Sequence, residues 1–163
     1  MKALLLTALL LPTLAALIFL ISSCQIGYPF NGPGYDAKRQ VIRDPHQGMV
    51  IVAVTEGIVE RGKGDAFSEQ LGRVLDAIPT SDGLIGYSVR KEVFGRKVWT
   101  MSAWTDETAL DRFIYSKAHK EAMRSGGIPR DTVRSGVTKI AAADVPLTWK
   151  RVREIIKQQN SPS

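Results

Sequence analysis

The chain has 163 residues, 44% hydrophobic and 23% charged, which suits one ordinary globular domain with an appendage and excludes a multidomain enzyme. Lysine and arginine total 22 against 16 aspartates and glutamates, a formal charge of +6. One cysteine excludes an internal disulfide framework and any paired-cysteine zinc or redox site.

After Met1 and Lys2, residues 3–21 are apolar apart from Thr7, Pro12 and Thr13, and Ile21-Ser22-Ser23-Cys24 follows. A positive start, an apolar run and small residues before a cleavage point predict an export signal over residues 1–23. The lone cysteine at the end of the run resembles the bacterial lipobox, which implies lipidation of Cys24 at the head of the mature chain. An apolar run of about 19 residues is also nearly long enough to stay as an uncleaved anchor. Both readings place the rest of the chain in the cell envelope, membrane-anchored and outside the cytoplasm, because Lys2 marks the cytoplasmic side. Residues 24–48 then include Gly27-Tyr28-Pro29-Phe30-Asn31-Gly32-Pro33-Gly34-Tyr35. Proline and glycine at that density lack a helix or strand period and predict a tether.

A domain is expected over residues 49–146. Met49 to Val59 is rich in β-branched residues and reads as a strand buried on both faces. Asp65 is expected to cap a helix running to Ile78, with Phe67, Leu71, Val74, Leu75 and Ile78 on one stripe and Pro79 closing it. Leu84 to Phe94 and Lys97 to Trp104 flank Gly95-Arg96 as a β-hairpin. Thr105 or Asp106 caps a second helix carrying Leu110, Phe113, Ile114, Ala118, Ala122 and Met123, which stops at Gly126-Gly127-Ile128-Pro129. Thr132 to Ala141 supplies a fourth strand. Residues 147–163 form an amphipathic C-terminal helix and tail, with Trp149, Val152, Ile155 and Ile156 opposite Lys150, Arg151, Arg153 and Lys157.

The order βαββαβ is that of an α+β, ferredoxin-like fold with a four-stranded antiparallel sheet. Two helices with single apolar stripes must share one sheet face, which leaves the other uncovered. A homodimer joined sheet to sheet is the economical closure, with the extra C-terminal helix at an edge or reaching across.

Met101-Ser102-Ala103-Trp104-Thr105-Asp106-Glu107-Thr108-Ala109-Leu110-Asp111-Arg112-Phe113 and Ser116-Lys117-Ala118-His119-Lys120-Glu121-Ala122-Met123 resemble the antibiotic biosynthesis monooxygenase-like group of the dimeric α/β-barrel superfamily. In that group a strand ending in Trp leads to a helix of the form A-L-x-x-F…S-x-x-H-x-x-A-M. The resemblance implies a dimeric α/β barrel and an activity among cofactor-free oxygenases of polycyclic phenols, haem-degrading enzymes and members without an assigned reaction. His119 matches the helix histidine that ligates iron in the haem-degrading members. Phe113 stands near their Trp and Thr55 or Gly57 near their Asn, so two of three partners differ; the cofactor is therefore either none or haem.

From the residues themselves, helical spacing aligns Tyr115, His119 and Met123 on one strip. An imidazole there serves as a base, an orienting donor or a packed core group. Trp104 either walls a pocket or plugs the junction of strand and helix. Val98, Thr100, Ser102 and Trp104 share one strand face, so Ser102 is a candidate ligand donor beside Trp104, Phe113, Tyr115 and Met123, with His119 the catalytic candidate. His46 offers no metal-ligand spacing with His119, so no metal site is expected. The basic residues of the C-terminal helix, with Arg124, Arg130 and Arg134, suit a solvated or lipid-facing surface; an exported chain does not meet nucleic acid.

Two functions follow. One is a membrane-tethered monooxygenase-like protein that holds a small apolar or aromatic compound between sheet and helices and oxidises it. The other is a non-catalytic ligand-binding or envelope lipoprotein on the same fold. An enclosed cavity touched by His119 and strand hydroxyls favours the first; filling of that space by Trp104, Phe113 and Tyr115 favours the second.

Overall fold

The computed structural model describes residues 25–44, 46–125 and 127–161; the expected export signal over residues 1–23 and the expected lipidation site Cys24 lie outside them. The expected core of the fold is present: an α+β, ferredoxin-like arrangement built on an antiparallel sheet. Strands β4 (Met49–Ile58), β5 (Leu84–Glu92), β6 (Lys97–Trp104) and β7 (Arg134–Ala141) are joined by helices α1 (Gly64–Ala77), α2 (Glu107–Ile114) and α3 (Lys117–Ser125). The C-terminal helix α4 spans Trp149–Gln159.

The sheet has five strands, not four. Gln25–Asn31 forms β1, antiparallel on the outer edge of β5, in the order β1-β5-β6-β4-β7. Where proline and glycine predicted a free tether, the chain is folded onto the sheet. An edge strand tolerates this composition because its outer side needs no partner. The register shifts between Tyr28 and Asn31, across Pro29, and the Ser88 hydroxyl donates to the Tyr28 carbonyl at 2.6 Å. Tyr35–Asp36 (β2) and Val41–Ile42 (β3) pair as a small separate ladder.

Alternation sorts the central strands as expected. Ile51, Leu84 and Trp104 lie among the residues packed under α2, while Val59, Val89 and Val98 meet Phe67 of α1 and, behind it, Leu71 and Leu75. Helix α1 starts at Lys63 without a side-chain cap, so Asp65 sits in the first turn rather than capping it. There its carboxylate still meets the positive end of the helix.

The single second helix expected to run to Met123 is two helices. The Tyr115 N–H reaches the Asp111 carbonyl, and the Ser116 N–H turns back to Phe113 at 3.0 Å, which tightens and ends α2. Ser116 then restarts the chain: its hydroxyl accepts the His119 N–H at 3.3 Å, as an N-cap does for α3. At the head of α2 the expected Asp106 is the cap, accepting the Ala109 N–H at 2.8 Å. That bond and the Thr105 hydroxyl hold its carboxyl below the usual carboxylate range.

The opposite sheet face, expected to be open for a sheet-to-sheet dimer, is covered by the chain itself. Val152, Ile155 and Ile156 of α4 are buried with Val50, Val52, Val54, Trp99, Met101 and Ala103, and Phe30 and Tyr35 join them from the N-terminal segment. Burying a side chain of this size contributes about 1.5–3 kcal/mol of transfer free energy. The apolar surface that motivated the dimer is thus used inside one chain.

Helix α4 also closes the β7 edge. The Gln159 amide accepts the Val137 N–H at 3.0 Å and donates to the Val137 carbonyl at 2.9 Å, and Asn160 donates to Ser135 at 2.8 Å. This mimics the missing neighbour strand. Gly136 permits the approach, since a Cβ there would lie 2.9 Å from both Ile155 Cγ2 and Gln159 Oε1.

Candidate functional site

Trp104, Phe113 and His119 form one continuous stack on the helix side of the sheet. Ring centroids lie 5.1 Å apart from Trp104 to Phe113 and 5.1 Å from Phe113 to His119. Trp104 is 0% exposed and packs in the cluster of Ile51, Leu84, Ala109 and Leu110. Its indole N–H donates to the Ser102 hydroxyl at 2.9 Å, the partner a buried indole needs. Ser102 therefore meets Trp104 as expected, but its oxygen serves the tryptophan. Ser88 lies on the other face, bonded to β1.

His119 is half-buried. Its Nδ1 lies 3.0 Å from the Ile114 carbonyl, and a carbonyl only accepts, so Nδ1 carries the proton and Nε2 keeps its lone pair. Burial lowers the imidazole pKa from its ordinary value, with the Ile114 bond opposing, so the ring is neutral at pH 7. The break between α2 and α3 makes this bond: it ends α2 at Ile114 and brings that carbonyl within reach of a side chain five residues on.

Tyr115, His119 and Met123, expected on one strip, line one open groove, and the same break leaves Tyr115 outside the row of Trp104, Phe113 and His119. Tyr115 is 68% exposed, turned away from the stack, with Lys120 Nζ 5.3 Å from its ring centre. Met123 is also exposed. His119 joins both only along an open groove of about 730 Å³ on the outer side of α3, where Lys117, Lys120, Arg124 and Arg130 supply positive charge. Thus Trp104, Phe113, Ser102 and His119 are gathered at the helix–sheet junction, while Tyr115 and Met123 flank its outer surface.

A second groove, of about 710 Å³, was not foreseen and lies on the α4 face. It runs between β1 and the Pro146–Trp149 segment, walled by Tyr28, Phe30, Met101, Leu147 and Trp149. The Arg90 guanidinium sits 5.1 Å above the Trp149 ring and also donates to Gln25 at 3.2 Å, the one cation among the residues lining a groove that Gln25, Ser88 and Thr148 make partly polar. Alternation along β5 puts Arg90 on this face; what the sequence hid was that β1 and residues 146–149 fold over it.

Residues 49–125, the span of β4 through α3, match the family model of the antibiotic biosynthesis monooxygenases. That stretch is similar to the antibiotic biosynthesis monooxygenases. A conserved protein from Methanosarcina mazei Go1 is similar at 20% identity and TM-score 0.51, over 56% of this chain and 93% of that one. A protein from Shewanella oneidensis is similar at 17% and 0.51, over 59% and 94%. At these identities the likeness concerns the fold. No curated protein matches the chain. The residues that cover the second sheet face, Phe30 and Tyr35 from the N-terminal segment and the apolar side of α4, all lie outside the matched residues.

Proposed function

We propose that the chain is a membrane-tethered, monooxygenase-like lipoprotein of the cell envelope that binds a small apolar or aromatic compound without oxidising it. The observation that carries this reading is the plug at the helix–sheet junction. Trp104 and Phe113 occupy the space where a substrate between sheet and helices would lie, and the Ser102 hydroxyl and His119 Nδ1 are committed to protein partners. The ligand site is then the groove between β1 and Trp149, whose volume and apolar lining suit a compound of a few fused rings. Arg90 favours a ligand bearing an acidic or electron-rich group at one end.

The test has two arms. Small molecules co-purifying with the exported protein are identified by mass spectrometry, and their binding is titrated by quenching of Trp149. Arg90→Ala is expected to weaken binding, and a hydroxylated polycyclic phenol is expected to cause no oxygen uptake. Oxygen uptake that His119→Ala abolishes would replace this reading with the oxygenase one. That alternative draws on a specific observation: a neutral imidazole with its Nε2 lone pair free beside an open groove is equipped to take up a proton. Haem titration in the same pair of proteins tests whether Nε2 ligates iron. The envelope address is tested separately: Cys24→Ser is expected to abolish lipidation and release the chain from membranes, and unchanged retention would support the uncleaved anchor instead.

A further inference from the structure

The end of the sheet from which the chain runs back toward residue 24 carries an unusual surface. Gln25 is paired with Glu92, the last residue of β5, so the β5–β6 turn projects beyond the sheet at the end where β1 begins. That turn exposes Val93 and Phe94, the latter 72% exposed, and Ile26 on β1 is 62% exposed. Single exposed apolar residues are ordinary; here several occur together at one end, on a turn that is held rather than loose. The Glu92 carboxylate folds under the turn to accept the Lys97 N–H at 3.2 Å, and the absence of a Cβ on Gly95 leaves room for that carboxylate.

Positive charge surrounds the turn. Arg96 and Lys97 are exposed, and Arg96 donates to the Val59 carbonyl at 3.2 Å while its own carbonyl accepts the Val59 N–H. These bonds bring the exposed Arg61 and Lys63, which follow β4, to the same end. Cys24, the residue that carries the lipid in the proposed reading, is the immediate neighbour of Gln25, one Cα step of about 3.8 Å away.

We infer that this end of the domain rests on the membrane that holds the N-terminus through Cys24, with Phe94 and Val93 at headgroup depth and Arg61, Lys63, Arg96 and Lys97 among anionic lipid headgroups. An aromatic ring beside basic side chains is the composition that partitions to this interface. The inference rests on the envelope-tethered reading above and adds that the domain docks on the bilayer instead of standing off it, because β1 has taken up the expected tether.

The experiment uses the full chain in vesicles of brominated phosphatidylcholine, with or without phosphatidylglycerol. The emission added by Phe94→Trp is expected to shift to the blue and to be quenched roughly two-fold or more, above the background of Trp99, Trp104 and Trp149. Val93→Trp repeats the measurement one residue along. Quenching is expected to be stronger with phosphatidylglycerol, and Arg96→Glu with Lys97→Glu to remove that difference. If the chain floats with the vesicles while both added indoles emit as in water, the docking inference fails and the tether stands. If the chain does not float with vesicles, the tethered reading fails and the docking inference with it.

Discussion

Replacing Trp104 with alanine puts the plug to the test. The side chain is completely enclosed, stacks on Phe113 and holds the Ser102 hydroxyl, so truncation removes burial, a ring contact and a hydrogen bond together. Large-to-small changes of a buried tryptophan cost about 3–5 kcal/mol. Complete burial and a paired indole N–H put this one at the upper end, since Ser102 is left facing a void. Urea unfolding of residues 25–163 measures the loss. The vacated space has the shape of an indole, so added indole is expected to restore about 2.7 kcal/mol at one hundred times its dissociation constant. A loss below about 1 kcal/mol would refute the packing argument. Equal stabilisation of the parent by indole would refute it too, by showing that the helix side was already open to a ligand.

Further outcomes follow from the geometry. Burial holds the His119 pKa below its ordinary 6.5, so above that value the ring is neutral in both states. As the pH falls through 6.5 the unfolded chain takes up the proton first, and stability declines until the lower folded pKa is reached; His119→Gln flattens that decline in melts between pH 7 and 5. Gln159→Ala removes both bonds to Val137 and is expected to cost about 0.5–1.5 kcal/mol by urea unfolding and to increase aggregation at the β7 edge, followed by light scattering. Sedimentation of residues 25–163 at micromolar concentration is expected to give a monomer, because the apolar sheet face is occupied by α4; a stable dimer would show that another surface pairs or that α4 leaves that face. Tyr115→Ser, at an exposed position outside the stack, changes stability by no more than about 0.5 kcal/mol.

The sequence was most readable where periodicity and burial coincide. β4, the β5–β6 hairpin and α4 each carry a full apolar pattern with turn or cap residues at their ends; Thr148 caps α4, accepting the Arg151 N–H at 3.3 Å. β1 was hidden because an edge strand needs only one neighbour and keeps Ile26 and Tyr28 in solvent, so no alternation marks it. The break at Tyr115–Ser116 was hidden because the apolar spacing of Phe113, Ile114, Ala118 and Ala122 runs smoothly across it. A signal was present all the same: in Ser116-x-x-His119 the serine three residues ahead of the histidine is a helix cap as well as a family-like motif. Of the site, Ser102 beside Trp104 was legible from strand phase, whereas the meeting of Phe113 and His119 depends on the break between α2 and α3 and was not given by helix phase. The groove at Arg90 and Trp149 was not, since its walls come from segments far apart in the chain.

The pairing of β1 with β5 also sets the mechanics of the molecule. The bonds between antiparallel strands run across the strands, so a tug at Gln25 directed along β1 loads the pairs from Gln25↔Glu92 to Tyr28↔Val89 together in shear. A pull directed sideways, away from the sheet, would instead open them one after another. The first residues of the domain therefore act as a clamp whose strength depends on the direction of the load. A protein dragged through the crowded space beside a membrane would keep its fold against drag along the strand and yield first to a peeling force.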